Sequence, residues 1–90
     1  MARTRSPKID KKIDNADKYY DISANILHYR RLSGLTQGQL AERVDISQPY
    51  LSKVESLRNP TMCSLEVLFD IAEELQIPVY KLFKSPDEEE

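Results

Sequence analysis

The sequence predicts a small all-α domain, and three observations carry that prediction. The first is the stretch Thr36 to Glu55, TQGQLAERVDISQPYLSKVE, in which Leu40, Ala41 and Val44, then Leu51 and Val54, recur at the i+3 and i+4 spacing of helices with one buried face, with Ile46 at the corner between them. The second is that no apolar–polar alternation runs long enough to make a strand. The third is that the chain holds only two glycines, Gly34 and Gly38, and no tryptophan. Between the two helical halves lie Asp45, Ile46 and Ser47, too few residues for a loop and enough for a sharp corner.

Taken in order, residues 1–20 have few large apolar side chains, mixed charge and Pro7, and read as a flexible basic arm. Its Arg3, Arg5, Lys8, Lys11 and Lys12 serve either solubility or contact with an anionic partner. Tyr19 and Tyr20 either pack back onto the domain or begin the first helix. The domain proper spans residues 21–84. Its first helix is expected from about Ile22 to Leu32, with Ile26 and Tyr29 inward, His28 exposed on the other face and Gly34 at the exit. Thr36 caps a second helix opened by Gln37, and Ser47 caps a third opened by Gln48. Pro49 falls in the first turn of that helix, where its missing N–H costs little.

Asp45 at the corner tolerates the left-handed backbone the turn requires. After Ser56-Leu57-Arg58-Asn59-Pro60, either Thr61 or Ser64 caps the fourth helix, and Ser64 is the preferred reading. That helix should carry Leu65, Leu68, Ile71, Ala72 and Leu75 inward. Pro78 then opens a short fifth helix with Val79, Leu82 and Phe83. Val67, Phe69 and Tyr80 are left over once the core is filled, and spare apolar groups there suggest a subunit contact. Cys63 reads as a small apolar filler or a loop residue. Residues 85–90 form an acidic, solvated tail.

Composition removes several classes of function. One cysteine gives neither an internal disulfide nor a thiolate metal cluster, and one histidine gives no metal site. Neither a glycine-rich phosphate loop nor a spaced carboxylate pair is present, so an enzyme is not expected, and no cofactor is called for. No apolar run approaches the ~20 residues of a membrane span, and no signal peptide is apparent, so the expected location is cytoplasmic. The net charge of −2 divides unevenly along the chain. Residues 29–60 carry Arg30, Arg31, Arg43, Lys53 and Arg58 against Glu42, Asp45 and Glu55, while acidic residues crowd the stretch after Met62. The local field, not the total, decides whether phosphate is attracted.

Two helices crossing at a tight corner, the second with polar residues outward, suit insertion into the major groove of B-DNA. The pattern resembles the Cro and repressor-like (XRE) helix-turn-helix family over roughly two thirds of the chain. The resemblance rests on Leu35-Thr36-Gln37, Leu40-Ala41-Glu42, Ile46, Ser47-x-x-Tyr50-Leu51-Ser52-Lys53-Val54-Glu55, Ala72-x-x-Leu75-x-Ile77 and Leu82-Phe83. It implies a five-helix, repressor-like DNA-binding domain. It also implies an ion pair between Arg30 and Glu55 that locks the third helix against the first. Asp45 stands where the family most often has glycine, and the segment from Glu55 to Ala72 is longer than usual.

The resemblance further implies which residues meet double-stranded DNA. Gln48 would present its carboxamide to adenine N6 and N7. Gln37 would brace that side chain and touch a phosphate, helped by the amides at the start of its helix. Pro49 can offer only apolar contact, as to a thymine methyl, and Lys53 can reach a guanine edge or a phosphate. Ser47, Tyr50 and Ser52 are expected near phosphate or in packing, with Arg58 and Asn59 beside the backbone. Arg43 is a weaker candidate. The expected working unit is a homodimer through Val67, Phe69, Tyr80, Leu82 and Phe83 on a palindromic operator, acting as repressor or autoregulator. The alternative is a protein-interaction module, such as an antitoxin subunit that also binds its promoter.

Overall fold

A computed structural model describes residues 10–85; the first nine residues of the expected arm and residues 86–90 of the acidic tail lie outside it. Four α-helices are present among the described residues: α1 (Asp10–Leu32), α2 (Gln37–Arg43), α3 (Gln48–Val54) and α4 (Leu65–Leu75). A 3-10 turn at Val79–Leu82 stands in place of the fifth α-helix. Pro78 lies just outside that turn, and four residues are too few to close a run of α-helical hydrogen bonds.

The core is one cluster. Ile22 and Ile26 of α1 meet Leu40, Ala41 and Val44, then Leu51 and Val54, with Leu68, Ile71, Ala72 and Leu75 of α4 and Leu82 closing it. Leu82 is fully buried, which removes it from the expected subunit contact. The reason is polar: Asn25 Nδ2 donates to the carbonyls of Leu82 at 3.0 Å and Lys84 at 2.7 Å, pinning the 3-10 turn onto α1. Val67 is half-buried against the core as well, whereas Phe69, Tyr80 and Phe83 are exposed. Leu65, expected inward, is 60% exposed, because it is the first residue of α4 and the helix reaches the core only a turn later.

Helix α1 begins at Asp10, well before Ile22, so residues 10–20 are helical where a flexible arm was expected. No proline or glycine lies between Pro7 and Gly34 to stop the helix running back. Asn15 to Tyr20 are all exposed, which explains why an apolar period could not reveal this extension.

Three helices end in one device. Gly34 (φ 77°), Asp45 (φ 60°) and Gln76 (φ 59°) each adopt the left-handed conformation that ends a helix. The following residue donates its N–H back five positions, Leu35 to Arg30, Ile46 to Ala41 and Ile77 to Ala72. These are Schellman closures, and Leu35, Ile46 and Ile77 each pack their apolar side chain against the core. At the α2–α3 corner this closure and the Ser47 cap occur back to back, fixing the crossing of the two helices.

Candidate nucleic-acid interface

Capping sets where α2 and α3 begin. Thr36 Oγ1 accepts the Gln39 N–H at 3.0 Å while Gln39 Oε1 accepts the Thr36 N–H at 2.8 Å, a reciprocal box. The Thr36-x-x-Gln39 spacing carries its signature in the sequence. Ser47 Oγ accepts the Tyr50 N–H at 3.1 Å, starting α3. A hydroxyl used as an acceptor keeps its own proton, so Ser47 can still donate to a phosphate.

On α3 the helical spacing sorts the side chains into two faces. Leu51, Val54 and Glu55 are buried and Tyr50 is half-buried on one side, while Gln48, Pro49, Ser52 and Lys53 are exposed on the other. Gln48 and Ser52, and likewise Pro49 and Lys53, are four residues apart, so they form two adjacent columns along the outward face. The Tyr50 ring packs against the core, and partial burial together with the neighbouring Cys63 raises its phenol pKa. It can therefore act only as a neutral hydrogen-bonding group at pH 7.

Arg30 and Glu55 form a two-point ion pair, Nε to Oε2 at 2.7 Å and Nη2 to Oε1 at 3.0 Å. Arg30 Nη1 also donates to the Leu35 carbonyl at 2.9 Å. Gln37 Nε2 donates to Glu55 Oε1 at 3.0 Å. The structure thus gives Gln37 to the Arg30–Glu55 node, where the sequence reading had it brace Gln48. The neighbour of the Gln48 carboxamide is instead Gly38: a Cβ placed on Gly38 would lie 3.3 Å from Gln48 Oε1.

Beyond α3, the Asn59 N–H donates to Ser56 Oγ at 3.1 Å and the Thr61 N–H to the Lys53 carbonyl at 3.2 Å, so the loop folds back on the helix end. Arg58 and Asn59 are exposed on it. Arg43 makes a 3.8 Å ion pair with Glu74 of α4. Both partners are at least one third exposed, so the pair contributes little.

Sequence reasoning did not single out Ser23, Asn25 or Gly38. Ser23 Oγ donates to the Val54 carbonyl at 2.6 Å, so α1 anchors the end of α3 as well as the 3-10 turn. The only trace in the sequence is two small polar residues inside the buried run Ile22 to Ile26. Cys63 is buried in the loop before α4, and burial pushes its thiol pKa up. Among the described residues, no group of His, Cys, Asp or Glu is arranged to hold a metal ion, and no helix is long and apolar enough to cross a membrane.

A helix-turn-helix family model matches residues 26–82. The protein named uncharacterized HTH-type transcriptional regulator y4dJ, from Sinorhizobium fredii, is 35% identical over 68 residues, covering 74% of this chain and 84% of that protein. Among solved structures, the N-terminal DNA binding domain of SinR from Bacillus subtilis matches with a TM-score of 0.67 at 28% identity, covering 77% of this chain and 99% of that one. The hypothetical transcription factor NHTF from Neisseria matches with a TM-score of 0.71, over 96% of this chain and 90% of its own. Its 22% identity bears on the fold alone.

Proposed function

The chain belongs to the XRE-type helix-turn-helix transcriptional regulators, and on that premise we propose that it represses or autoregulates transcription by placing α3 in the major groove of a palindromic operator. The observation that carries this reading is the outward face of α3. Gln48, Pro49, Ser52 and Lys53 offer hydrogen-bonding groups, one positive charge and no aromatic or aliphatic anchor. A protein-binding helix would be expected to carry such an anchor there. Gln48 is assigned to an adenine edge, Pro49 to a thymine methyl, and Lys53 to a guanine edge or a phosphate. Ser47, Tyr50, Ser52, Arg58 and Asn59 are assigned to the flanking backbone, and Gln37 holds the start of α2 in place through Glu55.

The working unit is a homodimer. One domain of this size makes few base contacts, and two copies roughly double the specific free energy. Phe69, Tyr80 and Phe83 remain exposed and are the candidates for that contact. A two-fold axis through them would place two α3 helices about 34–36 Å apart on one DNA face. The role is that of a cytoplasmic binding module rather than an enzyme.

The same exposed apolar residues, with Leu65, favour a second reading, in which the fold acts chiefly through a protein partner, as an antitoxin subunit does. Binding-site selection from random duplex DNA, followed by retardation of the selected fragment with and without heparin, separates the two. Enrichment of a palindrome that survives heparin supports the operator reading. Absence of any enriched sequence overturns it.

A further inference from the structure

Gly38 is the second residue of α2, and glycine is a poorer helix former than alanine. Its backbone does not require it: among the described residues Gly34 is the glycine with positive φ, at 77°, and Gly38 lies outside that region. The position is special in its space. A Cβ there would meet Gln48 Oε1 at 3.3 Å, Gln48 Cδ at 3.8 Å and Thr36 Oγ1 at 4.0 Å. The end of the Gln48 side chain therefore lies against the space a side chain on Gly38 would fill, closer than a methyl group would comfortably allow. Gln37, expected from the sequence to brace Gln48, has its amide nitrogen committed to Glu55 at 3.0 Å.

We propose that Gly38 is a specificity-determining positioning residue, whose missing side chain seats the Gln48 carboxamide at the start of α2 in the orientation that reads the base. This rests on the reading of Gln48 as a base contact. A carboxamide recognises adenine only when its oxygen and nitrogen are both aimed, so a seat that fixes the terminal torsion acts on specificity. A fixed side chain also loses less rotamer freedom on binding. Any Cβ at residue 38 displaces that end by a few tenths of an ångström. The contact is with the far end of a flexible side chain, so the helix itself is not strained.

The test uses the full chain with Gly38→Ala, Gln48→Ala and the double variant, on the selected operator and on an unrelated duplex. Gly38→Ala should keep the wild-type melting temperature or raise it, since alanine is the better helix former. Its affinity for the operator should fall about fivefold, a fraction of a whole bidentate contact. Binding to unrelated DNA should be unchanged, and the effect should vanish in the Gln48→Ala background. In the DNA-free protein, wild-type spectra should show cross-relaxation between Gln48 side-chain protons and the Gly38 α-protons. The Gln48 side-chain amide resonances should shift in Gly38→Ala. A Gly38→Ala effect that persists without Gln48, or equal loss on both duplexes, overturns the proposal. So do unshifted amide resonances, or a missing wild-type cross-peak, which needs no variant to fold. Failure of the underlying reading looks different: Gln48→Ala alone would then bind the operator like the wild type.

Discussion

The guanidinium of Arg30, near the end of α1, grips both carboxylate oxygens of Glu55, the residue that closes α3, at 2.7 and 3.0 Å. Glu55 is only 4% exposed, so this contact is a buried hinge-pin between the first helix and the helix proposed to read DNA. Gln37 completes the node from α2, and no buried side-chain nitrogen or oxygen among the described residues lacks a partner. The arrangement satisfies the carboxylate from two helices at once, the condition under which a buried charge is tolerated.

Removing one member should therefore be costly. Glu55→Ala strands the Arg30 charge and the Gln37 amide, and is expected to destabilise the fold by about 3 kcal/mol or more in urea titrations. Arg30→Met combined with Glu55→Leu should recover most of that loss, because it removes both charges together. A loss near zero for Glu55→Ala would show that water reaches the pair.

How much of this was legible in the sequence follows from what each residue does. Thr36, Ser47 and Ser64 announce their caps because the same oxygen serves any helix start, and all three cap in the structure. The core of α2, α3 and α4 follows the helical period, apart from Leu65, whose position in the first turn of α4 outweighs its hydrophobicity. The extension of α1 stayed hidden because a solvated helix has no apolar stripe to betray it. Leu82 was misassigned to the surface because its burial depends on Asn25, 57 residues away. The seat of Gln48 on Gly38 is a tertiary contact, and glycine in a helix has no periodicity from which to infer it.

Two of the three left-handed helix exits are occupied by residues with a Cβ, which makes them sites for stabilisation. Gln76→Gly removes that strain and should raise stability by about 1 kcal/mol, or about 4–8 °C in melting temperature for a domain of this size. Asp45→Gly should gain less, since a short polar side chain already tolerates this conformation. Thermal melts of both variants check the order, and a larger gain for Asp45→Gly would contradict it.

The base-reading assignments are separable by salt and sequence. Gln48→Ala should cost about 1–3 kcal/mol on the operator and relax preference at one base pair in each half-site. Lys53→Ala should either do the same at another position or reduce the salt slope of binding by about one unit, which would mark a phosphate contact. Equal losses for Gln48→Ala on operator and random DNA would remove it as a base reader.

Burial raises the Cys63 thiol above its ordinary value of 9.0, with its backbone hydrogen bond opposing the shift. The folded protein therefore holds this proton to higher pH than the unfolded chain does. Its contribution is fully present below the unfolded value and declines as pH rises toward the folded one. Stability should consequently fall as pH is raised past about 9. Cys63→Ala should lower stability at neutral pH yet flatten that alkaline decline. Urea midpoints measured from pH 7 to 10.5 test the sign; an unchanged slope in Cys63→Ala would assign the decline to other groups, Tyr50 among them.

The last prediction concerns the dimer. A two-fold contact brings each residue near the axis close to its own copy, so a single charge placed there meets its twin. Phe69 is 47% exposed on α4 and lies outside the core cluster, so Phe69→Lys should fold with wild-type helicity. It should sediment as a monomer at micromolar concentration where the wild type sediments as a dimer. Affinity for the palindrome should then drop by orders of magnitude, toward that of a single half-site, because the second set of base contacts is no longer tethered. Affinity for random DNA should fall far less. Tyr80→Lys should act in the same direction if the axis runs between α4 and the 3-10 turn. A Phe69→Lys protein that remains dimeric and binds the palindrome normally would move the interface elsewhere. A wild-type monomer that binds one asymmetric half-site tightly would remove the dimer altogether.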